Sequence, residues 1–134
     1  MRLPVAFFTI VLAAVNVPTP GWLGMGYVYR TRTDAGRTAG WLQILSVEPN
    51  SPAAKGGLRP RDIVTHFDGK PLVARDQLAM IQLLRRIRPG QRVRLSVRRG
   101  ENAIAINVTA ARMNAAQERL WREGLEYEQQ RAKP

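Results

Sequence analysis

Apolar and polar residues alternate with period two in several short runs, and most of these runs end in a Gly-, Pro- or Asn-bearing turn. This pattern predicts a small β-rich domain with helices inserted between strands. The clearest run sets Val93, Leu95 and Val97 against Arg92, Arg94, Ser96 and Arg98, giving one buried and one wet face. Arg99-Gly100-Glu101-Asn102 turns the chain, and Ala103–Ala110 returns as a partner strand with Ile104, Ile106 and Val108 inward. Trp41–Val47 predicts a strand with Leu42 and Ile44 on one face and Trp41, Gln43, Leu45 and Val47 on the other. Met25–Tyr29 and Ile63–Phe67 predict two more, the latter closed by Asp68-Gly69. Between the first two strands, Arg30–Gly40 is polar and glycine-bearing, and it reads as a loop.

Helical spacing appears in three places. Ser51-Pro52-Ala53-Ala54-Lys55-Gly56-Gly57 holds a complete short helix: a capping serine, a proline at the first position and glycines to end it. Asp76 caps a longer helix whose apolar positions Leu78, Ile81, Leu84 and Ile87 recur at helical spacing, with Leu78, Met80 and Leu83 expected to fill the core and Pro89-Gly90 as the stop. Asn114 and Gln117 resemble a capping pair at the start of a C-terminal helix reaching Gln130. Leu120, Trp121, Leu125 and Tyr127 make no single stripe on it. That leaves two readings: a solvated helix with partial docking, or a partner-binding or dimerising helix with Trp121 exposed.

The N-terminus follows another logic. Arg2 precedes an uncharged run, Val5 to Val15, then small Ala13 and Ala14, then Pro18 and Pro20, in the order of a secretory signal with cleavage after Ala14. A helix of about eleven residues covers only about half of the hydrocarbon core, so a stable membrane anchor is disfavoured. The organisation expected is a signal segment over 1–14, a linker over 15–20, a domain over 21–112 and a helical tail over 113–134, and the location a periplasmic or secreted one, with an uncleaved inner-membrane anchor as the variant.

Composition changes this picture in two ways. Lysine and arginine number 21 against 10 acidic residues, a formal net charge of +11, which suits an acidic partner, although no long basic block forms. Cysteine is absent, which removes disulfides, thiolate metal sites and a cysteine nucleophile. The single histidine, His66, has no sequence pattern around it that supplies a triad, the carboxylates are scattered, and no phosphate-cradling glycine loop occurs. No catalytic residue, metal site or cofactor is expected, and a signal segment argues against nucleic acid as the partner.

Four segments in order carry a family resemblance: Trp22-Leu23-Gly24-Met25, Val47-Glu48-Pro49-Asn50-Ser51-Pro52-Ala53-Ala54, Gly57-Leu58-Arg59-Pro60-Arg61-Asp62-Ile63-Val64 and Asp68-Gly69-Lys70-Pro71. Together, over residues 21 to 110, they resemble a bacterial HtrA-type PDZ domain standing without its protease domain. The resemblance implies a mainly β fold with two short helices, a partly open barrel or sandwich. It implies a non-catalytic module that captures C-terminal tails by strand addition, an adaptor or scaffold serving an envelope protease or secretion complex. On this resemblance the terminal carboxylate meets the amides of Leu23, Gly24 and Met25, beside Trp22. The ligand strand runs along Met25–Tyr29 past Tyr27, its last side chain enters a pocket of Leu23, Met25, Ile81 and Leu84, and Gln77 faces its third-from-last residue. Arg30, Arg32 and Arg37 would favour acidic residues upstream. One departure stands out, since Arg61 occupies the position before Asp62 where the family has glycine, which puts the local turn and the register of the third strand in doubt. Two other classes stay open: an oligomerisation domain with a vestigial groove, and a binder of anionic surfaces.

Overall fold

The computed structural model describes residues 18–74 and 76–131. The expected signal segment lies outside the described residues. A six-stranded antiparallel sheet forms the frame, built from β1 (Met25–Asp34), β2 (Arg37–Val47), β3 (Ile63–Phe67), β4 (Lys70–Pro71), β5 (Arg92–Arg99) and β6 (Asn102–Thr109). The strand order is β1-β2-β3-β5-β6, and β4 pairs with β3 off that path. Three helices join it among the described residues: α1 (Pro52–Gly56), α2 (Gln77–Leu84) and α3 (Ala115–Arg131). The expected mainly β, PDZ-like architecture is what the chain adopts.

The alternating residues do as their pattern requires. Leu42, Ile44, Val64, Val93, Leu95 and Val97 are buried on the inner face, and Ile106 and Val108 extend that face across β6. Met80 of α2 and Ala53 and Leu58 at α1 close the core. Each such aliphatic side chain contributes about 1.5–3 kcal/mol on full burial, so the sheet face is the main source of stability. The helix caps also form as expected: Ser51 Oγ accepts from the Ala54 N–H at 3.1 Å and Asp76 Oδ1 from the Ala79 N–H at 2.9 Å.

Two expectations are corrected. Arg30–Gly40 is not a loop, because β1 and β2 run on as a hairpin to Asp34 and Arg37. Ala35 (φ 51°) and Gly36 (φ 77°) form its tip, and two consecutive positive φ values match the two-residue turn whose twist suits antiparallel strands. The arm is exposed on both faces, so no hydrophobic alternation marks it; Thr33 and Thr38 join across it at 2.9 Å. The second correction concerns α2. The helix ends at Leu84, Leu78 and Leu83 face outward at 53% and 40% exposure, and Met80 with Ile87 supplies the core contact instead.

Arg61 itself adopts φ 77°, the left-handed conformation that favours glycine. Its N–H donates to the Ile44 carbonyl at 2.8 Å while the Ile44 N–H donates to the Asp62 carbonyl at 2.9 Å, so β3 pairs with β2 through Ile63 opposite Gln43 and Val64 opposite Leu42; against β5 its register shifts between Val64 and His66. Asp62 beside it is buried at 1% exposure, and its carboxylate accepts from Arg99 Nε and Nη2 at 2.9 and 2.8 Å and from the Arg59 N–H at 2.8 Å. Burial pushes this carboxyl upward, but the Arg99 and Arg59 hydrogen bonds and charges outweigh burial and hold it below the usual carboxylate range.

Arg61→Gly relieves the left-handed strain of a side-chain residue and raises stability by about 1 kcal/mol, read as a melting temperature about 4 °C higher. A pH series tests the Asp62 pair. A carboxyl depressed in the folded state stabilises fully above its unfolded value, about pH 4, and loses that contribution as pH falls through the folded value. The gap in urea stability between the wild type and Asp62→Asn therefore narrows below about pH 4; a gap constant down to acid contradicts the assignment.

Candidate functional site

The segment Gly21–Met25 enters the sheet along a path fixed by its own carbonyls. The Trp22 carbonyl accepts from the Ala111 N–H at 2.9 Å, the Leu23 carbonyl from the Ala53 N–H at 2.9 Å, and the Gly24 carbonyl from the Glu48 N–H at 2.8 Å. In a trans peptide the N–H of the next residue points opposite to the carbonyl. The amides of Leu23, Gly24 and Met25 are thereby turned away from their anchors, and those of Leu23 and Gly24 donate to no carbonyl among the described residues. Gly24 makes this path possible. It sits at φ 81°, and a Cβ there would overlap Cβ and Oγ of the buried Ser51. Ser51 thus caps α1 and seats the loop, its Oγ lying 3.4 Å from the Gly24 carbonyl.

Beside this loop a cleft of about 270 Å³ opens between β1 and α2. It lies just under the range of about 300–1,000 Å³ typical of small-molecule sites, a size suited to one or two side chains. Trp22, Leu23, Gly24 and Met25 line one side, with Tyr27 further along β1, and Ile81 and Leu84 supply the α2 wall. The structure therefore brings together these expected residues.

Gln77 is placed differently. Its Oε1 accepts the Tyr29 N–H at 2.7 Å, so it braces the upstream end of β1 against α2. The buried Tyr29 hydroxyl secures the same end, donating to the Ala74 carbonyl and accepting from the Ala74 N–H, both at 2.9 Å. Arg30, Arg32 and Arg37 stand on the hairpin arm outside the cleft; Arg30 Nε donates to Gln43 and Arg32 pairs with Asp34 at 2.8 Å.

Sequence reasoning missed Arg85, Glu48, Met113 and Trp121 in the cleft lining. Arg85 had a signal, since it follows Ile81 by one turn on the groove face of α2. Trp121 had none; its ring is half-buried, as in the reading of a partly docked helix, and its Nε1 is buried without a hydrogen-bond partner among the described residues. Burial raises the Tyr27 hydroxyl above the ordinary tyrosine value, and the positive charge of Arg85 partly offsets that rise. His66 stands opposite Ser96 in the sheet with its Nδ1 2.8 Å from Thr65 Oγ1, and no carboxylate hydrogen-bonds to it among the described residues. Among the described residues no His, Asp or Glu cluster could hold a metal ion.

The fold and cleft define a β-domain with a groove between an edge strand and a helix, ended by a loop of unengaged backbone N–H groups. Residues 43–99 match the family model of the PDZ domain. Over 73 residues the chain is 32% identical to a probable CtpA-like serine protease of Staphylococcus haemolyticus, covering 54% of this chain and 14% of that protein. Among solved structures, the HtrA3 PDZ domain bound to a phage-derived ligand superposes with TM-score 0.50 at 25% identity, covering 69% of this chain and 86% of that one. The HtrA-type protease AlgW with a decapeptide gives TM-score 0.55 at 22% identity over 84% of this chain and 36% of that one. Residues 43–99 carry the PDZ match, and the fold is similar to that of PDZ domains in HtrA-type proteases; a PDZ domain is a peptide-binding module. The chain spans about a seventh of the curated relative's length. The matched residues 43–99 begin after Trp22–Tyr29, so the amide loop and edge strand lie outside them.

Gly24→Ala forces a Cβ into Ser51 and a positive φ onto alanine. It lowers stability by at least about 2 kcal/mol in chemical denaturation, whereas an unchanged midpoint contradicts the seating described.

Proposed function

We propose that the cleft captures the free C-terminal end of another polypeptide. The observation that carries this reading is the anchoring of three successive carbonyls, which leaves the N–H groups of residues 23–25 facing away from the body at one end of an apolar groove. A terminal carboxylate satisfies such donors, and a chain interior does not. The ligand adds as an antiparallel strand beside β1, where Tyr27 and Tyr29 present their main-chain groups on the same side. To reach the Tyr29 N–H the ligand displaces Gln77 Oε1. Its last side chain rests among Leu23, Met25, Ile81 and Leu84. Arg30 and Arg37 lie too far along the hairpin arm for the terminus and bias residues well upstream; Arg32 is already matched by Asp34.

In this reading the chain works as a non-catalytic adaptor or scaffold of the cell envelope, feeding or assembling a protease or secretion complex. The uncharged run Val5 to Val15 supports export. No helix among the described residues is long and apolar enough to cross a membrane. A second reading, docking on an anionic surface, draws on Arg92, Arg94 and Arg98, which are exposed on the outer face of β5.

A C-terminal peptide library selected on the chain and followed by calorimetry separates the two. A free-acid peptide binds with a dissociation constant of order micromolar, about −8 kcal/mol, and its C-terminal amide binds at least about tenfold more weakly. Binding that ignores the terminus and falls steeply with salt supports the surface reading instead.

A further inference from the structure

The C-terminal helix reaches back to the cleft. Asn114 and Gln117 start it with reciprocal bonds of 2.9 and 2.8 Å, and Trp121 then joins Ile81 and Leu84 of α2 in the cleft lining. Two turns later Glu128 grips Arg85 in a fork, with Nη1 and Nη2 at 3.1 and 2.9 Å from its two carboxylate oxygens. Arg85 is itself part of the cleft lining. A carboxylate of this chain thus holds a cleft arginine in the planar, two-point geometry by which arginine recognises acids.

The docking has weak points. No residue of α3 is buried. The fork is half-exposed, at 27% and 42% for Arg85 and Glu128, which leaves it open to screening. Trp121 keeps an unpartnered Nε1 under cover, a penalty that undocking removes by giving the N–H to water. Two of its contacts lie within the helix and do not depend on docking: Glu118 and Arg122 pair at 2.9 Å one turn apart, and the Arg122 guanidinium lies 5.4 Å from the Trp121 ring centre. The remaining charged residue of the cleft lining is Glu48, so with Arg85 neutralised by Glu128 the cleft has no uncompensated cation.

We propose that Glu128 is a built-in competitor for Arg85, latching α3 with Trp121 over the cleft, and that a chain end carrying an acidic side chain near its terminus takes Arg85 in exchange and releases the helix. This rests on the chain-end reading above and specifies its ligand: a C-terminal peptide with an apolar last residue and a neighbouring Asp or Glu. Binding and helix release are coupled, because both carboxylates need the same guanidinium. A neutral-tailed peptide has to open the latch without that exchange and binds more weakly.

Two labelled free-acid peptides, alike except for Glu or Gln beside an apolar last residue, are titrated into the full chain, Glu128→Gln and Arg85→Gln. In the wild type the Glu peptide binds about fivefold tighter than the Gln peptide. Glu128→Gln tightens both by about fivefold. Arg85→Gln tightens the Gln peptide to a similar degree and abolishes the preference for Glu. The indole N–H resonance of Trp121 moves to a solvent-exchanging position on binding and already sits there in Glu128→Gln. If the wild type binds peptides but Glu128→Gln binds them equally or more weakly, α3 is a fixed wall of the site and the latch is overturned while chain-end capture stands. If neither peptide binds any of the three proteins, chain-end capture fails, and the latch with it. Binding by Glu128→Gln alone supports the latch in its strongest form.

Discussion

Everything in this domain that bears on recognition depends on how the carbonyls of Trp22, Leu23 and Gly24 are held. Peptide planarity makes each anchored carbonyl aim the following N–H the other way. Three separate parts of the fold supply the anchors: Ala111 after β6, Ala53 in α1 and Glu48 after β2. The amide loop is therefore an output of the whole tertiary structure. Ser51 sits at the centre of this arrangement, buried beneath Gly24 and capping α1. A positive φ at residue 24 turns the chain over that serine without a side chain in the way.

The groove beside the loop is secured unevenly. Its upstream end is locked by buried, reciprocal hydrogen bonds between Tyr29 and Ala74 and by the Gln77 brace. Its terminal end is bordered by α3, which is held by a half-exposed ion pair and a partly covered indole. On the proposed reading, this weakly held end is the one where the carboxylate of a chain end arrives. Losing a half-exposed ion pair costs about 0–1 kcal/mol, well below the several kcal/mol of a buried network, so local opening there leaves the core intact.

The sheet was legible in the sequence wherever one face is buried: Val93, Leu95 and Val97 against intervening arginines announce β5, and the Ser51-Pro52 cap announces α1. The exposed arm of the β1–β2 hairpin was not, because threonines and arginines alternate there without any apolar face to set the period. In α2 the helix itself was legible but its core face was not, since Leu78, Met80, Ile81 and Leu83 are equally apolar and only the partners across the interface select Met80. The floor of the cleft could be placed from the resemblance of Trp22-Leu23-Gly24-Met25 and from the spacing of Ile81 and Leu84. The rim could not, because Trp121 and Glu128 reach it through the path of a helix that meets the cleft by the ion pair to Arg85, and Met113 through the segment leading into that helix. At Arg61 a non-glycine residue takes a left-handed conformation, held there by the bonds of Ile44 with Arg61 and Asp62.

The central claim concerns three backbone donors, and amide chemical shifts report on them individually. Nitrogen-15 spectra of the chain, recorded during titration with a free-acid peptide and with its C-terminal amide, should show the N–H protons of Leu23, Gly24 and Met25 moving downfield together with the acid alone. If these three signals stay in place while others shift, or respond alike to acid and amide, the loop does not receive a carboxylate and the account is wrong.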